Sequence, residues 1–91
     1  MARRIHKRLF RIADELVELR QEETQVSAEL DYHRSINDDV QRDAVVSGAN
    51  MDRLEASSTA KDVERFLKRL HQISVRRQKL EAKRASLLRR L

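Results

Sequence analysis

Ile5, Leu9, Ile12, Leu16, Leu19, Glu23, Val26, Leu30, His33, Asn37, Val40 and Ala44 follow one another in unbroken alternating steps of four and three. That spacing puts all twelve on one stripe of a helix, at the a and d positions of a coiled coil. Nine of the twelve are apolar, and Phe10, Ala13, Val17, Ala28 and Ile36 widen the stripe. The pattern predicts one helix over about residues 3–46, roughly 65 Å long at about 1.5 Å per residue.

The second half repeats the rhythm through Val63, Phe66, Leu70, Ile73, Arg77, Leu80, Arg84, Leu87 and Leu91, with Leu67 and Leu88 beside the seam. A second helix over about 59–90 follows. Between the two lies "VSGANMDRLEASST", which holds the only glycine of the chain. Gly48 suits the left-handed position just past a helix C-terminus. Two starts are open for the second helix. Asn50 is one N-cap, with Asp52 in the first turn near the positive end of the dipole. Ser58 or Thr59 is the other, with Asp62 as an acidic partner in a capping box. Met51 and Leu54 fall off the phase set by Val63, so a short, offset helix is expected at 51–57 within a tip spanning 47–58.

Two long helices joined by a short connection pack antiparallel. Pairing positions whose numbers sum to about 97 sets Leu9 near Leu88, Leu16 near Leu80, Leu30 near Leu67 and His33 near Glu64. Glu23 then lies within reach of Arg77, so two polar breaks in the seam neutralise each other. The expected fold is all-α, a single domain over 1–91 built as a long antiparallel coiled-coil helical hairpin. A homodimer closing into a four-helix bundle satisfies the same heptads.

Composition supports this. Proline and tryptophan are absent, and Phe10, Tyr32 and Phe66 are the only aromatics. Charged residues make up 38% of the chain and apolar ones 40%. Such a vocabulary favours helices over sheets and a narrow seam over a bulky core. With no cysteine there is neither a disulfide framework nor a thiolate metal site. The opening "MARRIHKRLFRIADE" lacks the apolar core of a secretory signal, and no stretch is long enough to span a bilayer. A cytoplasmic protein without a membrane span is expected.

Charge changes the picture further. Arg3, Arg4, Lys7, Arg8 and Arg11 stand without an acid in residues 1–13, and Arg76, Arg77, Lys79, Lys83, Arg84, Arg89 and Arg90 face only Glu81 in residues 76–91. A hairpin brings both groups to one end, giving about +11 there. The intervening 14–75 segment is net negative, with Asp38, Asp39, Asp43, Asp52 and Glu55 toward the tip. Arg and Lys late in the second helix complement its dipole, but those at the start of the first oppose theirs. The basic end is therefore a candidate docking surface for an acidic or polyanionic partner. Nucleic acid qualifies through its phosphates alone, since no aromatics are interleaved for base stacking. Ile5, Leu9 and Phe10 beside these cations also suit an anionic membrane surface, a weaker alternative.

Catalytic chemistry is hard to find. His33 and Asn37 at i and i+4, with Glu64 opposite, are donors a metal accepts. Polar residues at a or d more often fix register, and Glu23, His33, Asn37 and Arg77 are read that way. His6 and His71 read as surface residues, and Ser47, Ser57, Ser58 and Thr59 as caps and turn formers. No enzyme, metal or cofactor is expected, because a bare rod lacks the concave site that small-molecule chemistry needs.

Asp52 and Glu55, in "MDRLE", lie three apart on one face of the tip helix. An acidic pair at the end of a long antiparallel coiled coil resembles the finger of the Gre-type transcript cleavage factors and, more loosely, DksA-like regulators. In that family the coiled coil enters the secondary channel of RNA polymerase, and two tip acids help hold a catalytic magnesium at the polymerase active site. The resemblance implies those places for Asp52 and Glu55, whose oxygen donors suit Mg²⁺. It covers the hairpin shape and this one pair. Gly48 stands four residues before Asp52, where the family has its glycine adjacent, and Ala56-Ser57-Ser58-Thr59 replaces the family's Asn-Ala-Glu-Tyr. The expected role is a non-enzymatic protein–protein adaptor or regulator, with RNA polymerase as a partner. The alternative is a nucleic-acid- or ribosome-associated protein anchored by its basic end.

Overall fold

Two helices, α1 (Ala2–Ser47) and α2 (Asn50–Arg89), make up the computed structural model, which describes residues 2–91. Cross-helix contacts run in opposite senses along the two elements. Glu15 meets Arg76, Glu22 meets Arg69, His33 meets Phe66 and Asn37 meets Thr59. The chain is thus an antiparallel helical hairpin, a rod of 67 × 16 × 14 Å.

The reversal takes two residues. Gly48 sits at φ 64°, and its N–H donates to the Ala44 carbonyl at 3.0 Å, an αL cap that closes the last turn of α1. Ala49 is extended at φ −73° and ψ 144°, and its carbonyl accepts the first bond of α2 from the Arg53 N–H at 3.1 Å. Ser47 ties the corner together. Its hydroxyl accepts from the Ala49 N–H at 3.2 Å and donates to the Asp52 carboxylate.

This corrects the expected tip of 47–58. The second helix starts at Asn50, but Ala49 occupies the N-cap position and makes no side-chain cap bond. No break separates 51–57 from the rest, and Ser58 and Thr59 cap nothing. The physical reason lies across the hairpin. Ala56 is buried against α1, and the Thr59 hydroxyl shares its one proton between Asn37 Oδ1 at 2.9 Å and the Ala56 carbonyl at 3.1 Å. Tertiary contact thus holds a weak helix-forming stretch in helical form.

The seam itself follows the four-three pattern. Ile12, Val26, Leu30, Ile73, Leu80 and Leu87 are buried, and all six were on the predicted stripe. Ile12, Leu80 and Leu87 form a cluster against which Ile5, Leu9, Leu16 and Leu19 pack. Finer pairings shift. Leu87 is 1% exposed and Leu88 49%, so Leu87 and not Leu88 joins the cluster that Leu9 packs against. Leu67, set opposite Leu30 by the sequence pairing, is exposed. Both lie about 100° of helical rotation from their buried or half-buried neighbours, which turns them off the narrow contact line of a two-helix rod.

Candidate functional site

Closing the hairpin gathers the cations of both termini at one end, as the charge pattern requires. Two of the twelve leave the docking set. Arg76 Nη2 binds both carboxylate oxygens of Glu15 at 2.9 Å, and Arg77 Nη1 binds Glu23 at 2.7 Å. These cross-helix pairs, with Arg69–Glu22, fasten α2 to α1 and are half exposed, which limits each to about 0–1 kcal/mol. Arg3, Arg4, Lys7, Arg8, Arg11, Lys79, Lys83, Arg84, Arg89 and Arg90 take part in none of the ion pairs found among the described residues. All are exposed except Arg8, which is half-buried. A groove of about 460 Å³ runs along this end past Arg8, Arg11, Ile12, Glu15, Arg76 and Leu80, open to solvent along its length.

Mid-rod, the polar seam residues behave differently from one another. Asn37 Oδ1 accepts from Thr59 and from Gln41 Nε2 at 3.1 Å, while Gln41 reaches the Ala56 carbonyl at 2.8 Å. The Thr59 hydroxyl and the Gln41 amide both find acceptors here, and no buried side-chain polar atom among the described residues is left bare, so the layer fixes register. His33 does not meet Glu64, which is exposed. Its ring stacks instead on Phe66 at 4.7 Å and meets the edge of Tyr32 at 5.6 Å. Its aromatic face is what it offers the seam. Among the described residues no three His, Asp or Glu side chains converge as metal ligands.

At the tip, Glu55 is exposed but the Asp52 carboxylate is engaged by the Ser47 hydroxyl. Asp52 stands in the first turn of α2, where the dipole favours an anion. Four apolar residues that sequence reasoning did not assign to any site share this end. Val45, Val46, Met51 and Leu54 are 68–84% exposed. A signal for them existed: Met51 and Leu54 fall off the heptad phase that continues back from Val63 through Thr59 to Ala56. An off-phase apolar residue in an unbroken helix must face solvent or a partner.

No helix of the described residues is long and apolar enough to cross a membrane. No known protein family, curated protein or solved structure matches the chain.

Proposed function

We propose that the chain is a non-enzymatic helical-hairpin interaction module, a protein–protein adaptor or regulator that makes contact through its tip. The bare apolar group Val45, Val46, Met51 and Leu54 carries this reading. Apolar side chains left in water cost free energy that a complementary protein pocket recovers, at about 25 cal/mol per Å² covered. Asp43, Asp52 and Glu55 around it ask for a pocket with a basic rim. RNA polymerase is the partner implied by the likeness to channel-entering fingers. The cysteine-free composition fits a cytoplasmic setting. Val46→Ser with Met51→Ser and Leu54→Ser should abolish binding to purified RNA polymerase while leaving helicity intact. Unchanged binding by the triple variant defeats the tip reading. Asp52→Ala with Glu55→Ala should keep polymerase binding and lose any effect on transcription.

A second reading rests on the ten cations of the basic end, the foot of the rod, that stand outside the ion pairs among the described residues. They would anchor the rod to the phosphates of RNA, as in a ribosome-associated protein, with no base specificity. Such binding weakens steeply with salt, and Lys79, Lys83, Arg89 and Arg90 changed to Glu should remove it. A flat salt response eliminates this reading.

A further inference from the structure

The face of α1 turned away from α2 carries a second stripe. Phe10, Ala13, Val17, Gln21, Thr24, Ala28, Tyr32 and Ser35 recur in steps of three and four, and every one is exposed. None is charged, in a chain where 38% of residues are. The corresponding outward face of α2, through Lys61, Glu64, Lys68, His71, Val75 and Lys79, is charged at most positions. A solvated face needs charge. An uncharged stripe that repeats every eleven residues, in steps of three, four and four, and is edged with charge is the pattern of a helix–helix contact.

The edging identifies the occupant. Arg3 and Lys7 border the stripe at its start, and Asp38, Asp39 and Asp43 outnumber Arg42 at its end, so α1 is charged against its own dipole at both extremities. A second copy laid antiparallel brings each basic end onto the other's acidic end. A parallel copy sets like charge on like. We infer that this face of α1 is a self-association surface, on which two hairpins pair antiparallel about a two-fold axis at Gln21. In that register Phe10 of each copy covers Tyr32 of the other. These are the two most exposed aromatics, at 69% and 66%. Ala13 lies beside Ala28, where small side chains let the backbones approach, and Arg3 faces Asp39. The contact runs about 55 Å along the helices. It leaves the tip and the cations of α2 uncovered, so it is independent of the tip reading, while it shares Arg3 and Lys7 with the phosphate-binding one.

Sedimentation equilibrium of the full chain tests this. The wild type is expected to be a dimer whose dissociation constant rises at least tenfold between low and high salt. Phe10→Ser with Val17→Lys should give a monomer of unchanged helicity, since neither residue lies in the seam. Arg3→Asp with Lys7→Asp should weaken the dimer at least tenfold, and adding Asp39→Lys with Asp43→Lys should restore it. The native chain has no cysteine, so single-cysteine variants report geometry cleanly. Gln21→Cys should form a disulfide with itself. Phe10→Cys should do so only when mixed with Tyr32→Cys. A wild type that stays monomeric at millimolar concentration overturns the inference, as does Phe10→Cys linking to itself. A dimer indifferent to the Phe10 and Val17 changes also overturns it, because association then uses another face or an opened seam.

Discussion

The two halves of the seam are held by different physics. Near the foot, Ile12, Leu80 and Leu87 interlock with Ile5, Leu9, Leu16 and Leu19. Near the tip, the same four-three positions hold Asn37, Val40, Ala44, Ala56 and Thr59, and only Ala56 among them is fully buried. Burial of large aliphatic side chains gives the foot its stability but little directionality. The Asn37–Gln41–Thr59 layer contributes modestly to free energy yet tolerates one alignment only, because each donor must meet its acceptor. The foot therefore sets how strongly the helices stay together, and the tip half sets where.

Breaking the foot should have the largest effect. Leu87→Ala, at the most buried leucine, is expected to cost about 2–5 kcal/mol in urea denaturation. Val40→Ala, half-buried in the distal half, should cost under about 2 kcal/mol. Equal losses at the two sites would erase the distinction between the halves. Asn37→Ala should cost about 1–2 kcal/mol by stripping Thr59 and Gln41 of an acceptor. It should also broaden amide resonances around 37–44 and 52–60 as alternative alignments open, and a single sharp set of peaks would deny the layer its register role. Gly48→Ala meets no neighbouring atom, so its cost is the left-handed backbone alone, about 1 kcal/mol. Hydrogen exchange in this variant should quicken at the tip and stay unchanged at the foot. Smallest is Arg77→Ala, below about 1 kcal/mol for an exposed pair, and the loss should fade in molar salt.

Periodicity made most of the architecture legible. Both helices, their antiparallel order and six of the buried seam residues follow from the four-three steps, and the Glu23–Arg77 pair follows from opposing the two stripes. The tip was misread for a definable reason. Ser57, Ser58 and Thr59 carry the local chemistry of a cap, and Met51 and Leu54 break phase, so propensity argued for a boundary there. Ala56 and Thr59 argued the other way, continuing the phase of Val63 without a gap, but a small and a polar residue are weak markers of a seam. Arg76 counts with the basic end in sequence because its charge is visible there, while its partner Glu15, 61 residues away on the facing helix, is not. Met51 and Leu54 break phase in the sequence, but a short offset helix explains that break as well as an exposed apolar tip does, so the pattern alone does not reveal the tip.

The separation of charge along this rod has an electrical consequence. At physiological ionic strength a charge is felt over about 8 Å, whereas the molecule is 67 Å long. An approaching surface at one extremity therefore senses nothing of the other, and the overall charge of +5 describes neither. Each end of a single hairpin presents its own sign, so an anionic object and a cationic one can be held by the same slender molecule at once, a helix-length apart.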